Sequence, residues 1–444
     1  MAVKPGQPEG RIVESLYTLH RKQSIGVPVT PIVKVGDEVN KGTLLGVSDG
    51  LGVPLHASVK GKISAITDDA IEILASADQT DYYERLRAKG SIADVAKEAG
   101  LCGLGGAGFP TYVKLGTDLN GGTLLINAVE CEPLLEHNVT QMIENPAAVY
   151  NGALLAKKAT KAGKIIFGIK AKNAEAIAKM RAVIRPEDHV SVYELPDMYP
   201  MGEERALIRE AMGVLLSPEE LPSAADAVVL NVETVVRLHE AVEDKKPMIT
   251  KSLTVAGKIA NGTESQVFLN VPLGMRVSEV LAMAGGIDGK YGEIIMGGPF
   301  TGKACSLDDV IAKPTGGLIV TIDFVNERRP VGLLVCACGG NAERMHDLAK
   351  KMNAKVVSER HCKQAALVKG NYKCENPGNC PGQAEKIMEM RREGAEVLLI
   401  GNCSDCSNTV MCVAPKLKMP VYHQTDHVLR TVGKRLVRRL PLGN

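Results

Sequence analysis

Residues 103–114 read GLGGAGFPTYVK, and eight of the eleven cysteines lie beyond residue 330; chemistry is concentrated in these two places. Gly103, Gly105, Gly106 and Gly108 lack the Cβ that keeps a main chain away from a ligand, so successive N–H groups can point into one anion-binding concavity. A phosphate is the guest such a loop suits, with the ammonium of Lys114 close behind as a point charge. The competing reading is an ordinary surface loop. No GKS or GKT follows the last glycine and the spacing is not a clear GxGxxG, so Walker A chemistry and the plain dinucleotide fingerprint lose weight.

The C-terminal cysteines are Cys336-Ala-Cys338, Cys362, Cys374, Cys380-Pro381, Cys403-Ser-Asp-Cys406 and Cys412. Cys338, Cys362 and Cys403 fall at or just after the ends of strand-like runs, so parallel strands would gather them along one edge. Cys403 and Cys406 straddle a strand-to-helix turn, the setting in which a helix N-terminus lowers a thiol pKa and a CxxC pair becomes redox-active, although Asp405 works against that lowering. Three outcomes stay open: a thiol or disulfide redox centre at Cys403 and Cys406, an iron-sulfur or zinc site drawn from Cys336, Cys338, Cys362, Cys374, Cys380 and Cys412, and inert cysteines. Cys102 and Cys131 read as small buried residues.

Elements that could position these groups follow from the pattern of apolar residues. Residues 1–75 carry short Val-rich segments broken by VGD, KG and SDG, a compact all-β module similar to a barrel-sandwich hybrid. Over 76–245 the runs KIIFGIK, VSVYELP and AVVLNV alternate with helical segments such as NAEAIAKMRAVI, which predicts parallel strands with crossover helices, a Rossmann-like α/β domain whose ligands sit beyond the strand ends. Residues 246–314 fit a small β-grasp domain. Residues 315–444 read as a second, cysteine-rich α/β unit, so the fold class is multidomain α/β.

Composition is ordinary for a globular protein, with 45% hydrophobic and 23% charged residues. A formal net charge of +2 argues against nucleic acid as the main partner. No apolar run approaches the ~20 residues of a membrane helix, and MAVKPGQPEGR lacks the apolar core of a signal peptide. The expectation is a cytoplasmic protein without a direct membrane span, in which cysteines serve as ligands, redox thiols or buried residues rather than structural disulfides. Self-association into a homo-oligomer stays open.

Several motifs together resemble a known family. The glycine loop, INAVECEP (126–133), YPMGEERALI (199–208), LNVETVVRL (230–238) and MGGPFTGKA (296–304) occur in the order found in the NADH-oxidising subunit of respiratory complex I and in the C subunit of the Rnf ferredoxin:NAD oxidoreductase. VKVGDEVNKGTLLG is similar to the N-terminal module of the latter. The resemblance implies FMN as cofactor and NADH as electron donor, an SLBB-type β-grasp domain over 246–314, and contacts to FMN or nicotinamide from Gly103, Gly105, Gly106, Gly108, Phe109, Lys114, Asn127, Glu130, Tyr199, Gly202 and Asn231, with Glu203 and Glu204 at the reacting rings. The family's two CxxCxxCxxxCP motifs are absent, so its clusters do not carry over. An Rnf-C-like body with this cysteine-rich tail resembles the electron-transfer proteins associated with D-proline reductase. That likeness implies NADH oxidation through FMN and export of electrons through the cysteines to a partner reductase. The rivals are a corrin (cobalamin) reductase-like flavoprotein and a non-catalytic scaffold protein.

Overall fold

The computed structural model describes residues 15–438 apart from 263, 264 and 402; the segment read for a leader lies outside them. Chain order follows layer order. The first unit pairs a four-stranded sheet (Leu16–His20, Ala70–Ala75, Gly61–Ile66, Glu38–Val39) with a three-stranded one (Thr30–Pro31, Leu44–Val47, Leu55–His56). Leu19, Leu45, Ile63, Ile71 and Ile73 fill the space between them, as alternating strand residues must when one face of each sheet is turned inward.

In the second unit four parallel strands stand in the order Val190–Leu195, Lys164–Lys170, Thr123–Ala128, Ala227–Asn231. Successive residues of Thr123–Ala128 serve opposite faces. Leu124 and Ile126 pack under the helices Pro146–Thr160 and Val232–His239, while Leu125 packs against Leu207 and Ile208 of Glu204–Met212. The chain builds three strands in one direction and then returns to add the fourth on the other side of the first. The seam between Thr123–Ala128 and Ala227–Asn231 is thus where the winding reverses, and connections leaving there diverge to leave a crevice.

The third unit is a mixed five-stranded sheet, Ser265–Pro272, Thr250–Gly257, Gly317–Val320, Ile294–Met296 and Lys303–Cys305, covered by the helix Val277–Met283. Its central strand, Gly317–Val320, lies past residue 314, because Leu318 and Val320 complete the core under that helix.

The last unit is again parallel, in the order Val356–His361, Val331–Val335, Val397–Ile400, Val421–His423. Its winding reverses between Val331–Val335 and Val397–Ile400. A hairpin, Ala365–Val368 with Asn371–Cys374, is inserted after the second strand of the chain order. The last helix described is short, Asp426–Thr431.

Candidate functional site

At the first reversal, Asn127 and Asn231 end their strands in register with each other. The glycine loop folds over that crevice, closed by the bridge between Cys102 and Pro110 and by the Gly103 amide donating to Phe109 O at 2.8 Å. The result is a cleft of about 540 Å³ lined by Gly103, Gly105, Gly106, Gly108, Phe109, Lys114, Asn127, Gly202, Glu203, Glu204 and Asn231, within the size range of cofactor sites. A Cβ on Gly105 would stand 2.5 Å from Asn231 Nδ2, whereas one on Gly106 would meet no heavy atom within 4 Å. Gly105 is therefore needed for the loop to pack, and Gly106 to leave room in the cleft. A cradle that side chains would fill suits a phosphate-bearing cofactor such as FMN.

Polar groups around the cleft hold one another. Lys114 Nζ donates to Glu204 at 2.6 Å and to Val229 O at 3.0 Å. Asn127 Nδ2 donates to Gly202 O at 2.8 Å, and Asn231 caps the helix Val232–His239 by accepting from Glu233 N at 2.9 Å. Glu203 caps Glu204–Met212: its carboxylate accepts from the amides of Arg205 and Ala206 and from Arg205 Nε, each at 2.9 Å. Such a cap orients the helix and places a negative charge where the dipole favours it.

Glu130 and Tyr199, expected beside the cofactor, line a different cavity, of about 670 Å³, together with Cys131. The reason for Glu130 is local. Its φ of 40° turns the chain away from the strand axis, and its carboxylate accepts from Asn138 Nδ2 at 2.8 Å. Burial pushes that carboxyl up to about 7. Tyr199 instead joins the units. Its ring stacks on Phe300 with centroids 3.7 Å apart, its hydroxyl donates to Cys338 O at 2.9 Å, and its amide donates to Ser404 Oγ at 3.0 Å. Phe300 was legible in MGGPFTGKA only as part of a motif. With five Phe in the whole chain, its scarcity between glycine-rich turns was the available signal.

Cysteines converge at the second reversal. Cys336 and Cys338 follow Val331–Val335, and Cys403 and Cys406 open the helix Ser404–Val413 after Val397–Ile400. The sulfurs of Cys336, Cys338 and Cys403 all lie within 4.8 Å of one another. Cys362, Cys374, Cys380 and Cys406 also line this small space, with Gln364 and Gln383 among the other residues around it. The thiols of Cys338, Cys362, Cys403 and Cys406 hold the Cys336 thiol well below its usual range. A tetrahedral zinc with ~2.3 Å bonds needs thiolates about 3.8 Å apart, so the donor set fits a soft metal or an iron-sulfur centre. Cys412 is exposed on the far part of its helix and stands outside the group, because a CxxC at the helix start and a residue six positions later occupy different turns. The CxxC pair is also reorganised: Cys403 caps the helix, accepting from Cys406 N at 3.4 Å, while Cys406 Sγ lies 3.3 Å from Cys380 Sγ.

A chamber of about 190 Å³ borders both centres. Glu203, Glu204, Leu221 and Pro222 line both it and the glycine-loop cleft, and Cys338 and Cys374 close its other end. Helix Glu204–Met212 clamps the cysteine-bearing segment, with Arg205 Nη1 donating to Cys374 O and Arg209 Nη1 to Pro377 O, both at 2.7 Å. Sequence reading missed these two arginines, since each looks like a solvated helix residue until the later segment is placed against it. Among the described residues no helix is long and apolar enough to cross a membrane.

Residues 96–240 match the Nuo51 FMN-binding domain, and residues 11–79 match the RnfC barrel sandwich hybrid domain. The C subunit of the Na(+)-translocating ferredoxin:NAD(+) oxidoreductase complex of Acetobacterium woodii is 30% identical over 66% of this chain and 70% of that protein. The proton-translocating counterpart of Clostridium ljungdahlii is 31% identical over 73% of this chain and 75% of its own length. Cobalamin reductase PduS of Salmonella typhimurium is 37% identical over 57% of this chain, which spans about half (52%) of that relative.

Proposed function

The chain belongs to the family of C subunits of ferredoxin:NAD(+) oxidoreductase complexes, a family of oxidoreductases, and on that premise we propose that it is an electron-transfer flavoprotein. In this reading it oxidises NADH by way of FMN and passes electrons through the C-terminal cysteines to a partner reductase. FMN, when bound, supplies the step between hydride and single-electron chemistry. Gly103, Gly105, Gly106, Gly108 and Lys114 hold its phosphate end, Asn127, Gly202 and Asn231 the floor, and Phe109 and Glu204 the side open to nicotinamide. Glu203 acts as a positioning residue through its cap.

One observation carries the proposal: the wall formed by Glu203, Glu204, Leu221 and Pro222 is shared by the glycine-loop cleft and the chamber that ends on Cys338 and Cys374. Electron export needs a redox-active second centre, and zinc has no redox chemistry. An iron-sulfur centre on Cys336, Cys338 and Cys403 is therefore the assignment that fits the role. The mixed sheet from Thr250 to Val320 takes the part of the SLBB-type β-grasp domain, a scaffold against which Phe300 meets Tyr199.

D-proline reductase is the partner this reading assigns. A second reading, cobalamin reduction, is favoured by the 37% identity to PduS. The test combines stopped-flow flavin reduction by NADH with steady-state transfer to D-proline reductase or to hydroxocobalamin. In the double variant Cys403→Ser/Cys406→Ser, flavin bleaching should persist and transfer collapse. Equal loss of both would reduce the cysteines to a structural role.

A further inference from the structure

We infer that Cys380 and Cys406 form a dithiol–disulfide couple through which the protein exchanges electrons with a disulfide of a partner protein. The inference deepens the export reading above by naming its terminal pair. Their sulfurs are 3.3 Å apart although the residues are 26 positions apart in sequence, so the ~2.05 Å of a disulfide needs a further approach of only about 1.2 Å.

The two sulfurs are built for unequal tasks. Cys406 is buried at 2% exposure, while Cys380 is half-buried between exposed Asn379 and Pro381. An incoming disulfide can reach only Cys380. Donors converge on that sulfur: Gln383 Nε2 at 3.2 Å and the Gly382 amide at 3.4 Å. Gln383 is held in this orientation because its Oε1 accepts from Lys363 N at 3.1 Å. Thr409 Oγ1, which donates to Cys406 O at 2.8 Å, lies 3.6 Å from Cys380 Sγ and packs beside it. Asp405 accepts from the Cys380 amide at 2.6 Å, which fixes the loop beside the helix that bears Cys406. These contacts fix the place of the Cys380 sulfur, and which sulfur an incoming disulfide can reach decides where exchange begins.

The exchange balances. The Cys380 thiolate attacks one sulfur of the partner disulfide, forming a mixed disulfide and releasing the other partner sulfur as a thiolate. Cys406 then attacks Cys380, which expels the second partner sulfur and leaves a Cys380–Cys406 disulfide. Two electrons and the two thiol protons have moved to the partner. NADH resupplies the pair with two electrons and one proton, and solvent supplies the second proton.

The test uses the full chain in a Cys412→Ser background, which removes an exposed competing thiol. The protein is reduced anaerobically with dithiothreitol, desalted, and treated with one equivalent of 5,5′-dithiobis(2-nitrobenzoate). Release of two thionitrobenzoates per reagent is expected, with a Cys380–Cys406 crosslink found by peptide mass mapping. Cys406→Ser should stop at a mixed disulfide on Cys380 with half that release, and Cys380→Ser should lose the rapid phase. A crosslink joining Cys406 to Cys403 or Cys336, or a Cys406→Ser protein that releases as much reagent as its parent, would overturn the pairing. If Cys406→Ser does not fold, the linkage mapped in the parent decides alone. Neither flavin nor NADH enters the assay, so a failure of NADH oxidation and a failure of this pair are read separately.

Discussion

Asn127 and Asn231 stand opposite each other in register at the carboxyl ends of adjacent parallel strands, on the seam where the sheet reverses its winding. Each side chain is already engaged by backbone, Asn127 through Gly202 O and Asn231 through Glu233 N. Their positions are therefore set before any ligand arrives, which lowers the ordering cost of binding.

The glycine loop is tested by Gly106→Val. No protein atom lies within 4 Å of a Cβ there, so stability should change by no more than about 0.5 kcal/mol. Flavin retention, measured by absorbance after desalting, should be lost. A variant that keeps stoichiometric flavin would refute the assignment.

Lys114→Met removes the cation that bridges Glu204 and Val229 O in the cleft. Hydrogen bonds to charged groups contribute about 1.5–3 kcal/mol, so FMN affinity, read by fluorescence quenching, should fall by roughly tenfold to a hundredfold. An unchanged Kd would place the phosphate elsewhere.

Stability should depend on pH through Glu130. Its folded carboxyl is raised from 4.5 to about 7 by burial, so the folded chain keeps a proton that the unfolded chain has lost. The stabilisation is complete below about 4.5 and disappears as pH rises through about 7. Relative to Glu130→Gln, the parent should lose stability over that window at a slope approaching about 1.4 kcal/mol per pH unit. Urea titrations at several pH values would show it, and parallel curves would deny it.

Glu233 binds the second unit to the third. Fully buried, it pairs with fully buried Lys251, accepts from Ser252 N at 2.7 Å and pairs with Arg237 at 3.2 Å. Glu233→Ala leaves Lys251 without its counter-charge and should cost about 3–5 kcal/mol in urea unfolding. A cost below about 1 kcal/mol would mean water relieves the orphaned lysine.

Metal content separates the cysteines. Cys336→Ser, Cys338→Ser and Cys403→Ser should each lower the iron bound after anaerobic purification, whereas exposed Cys412→Ser should leave it unchanged. Iron loss from Cys412→Ser alone would invert the ligand assignment.

Local pattern in the sequence was enough for the glycine loop, the alternation of strands and helices, and the placement of cysteines after strand ends. Each depends on residues close along the chain: missing Cβ atoms, apolar period, and the switch from strand to helix. What needed the tertiary structure was every pairing set by strand order. Sequence does not say that Gly317–Val320 completes the third sheet, since that follows from a parallel pairing with Thr254–Gly257 some sixty residues earlier. Tyr199 carries a flavin-family motif yet leaves the cleft, because its ring, hydroxyl and amide all find partners in later segments. Cys406 looks like the mate of Cys403 at three residues' distance, but a helix start turns the first sulfur into a cap and leaves the second facing a loop that arrives from elsewhere. Spacing along the chain fixes which side chains share a turn; which sulfurs share a space is decided by how the strands that carry them are ordered.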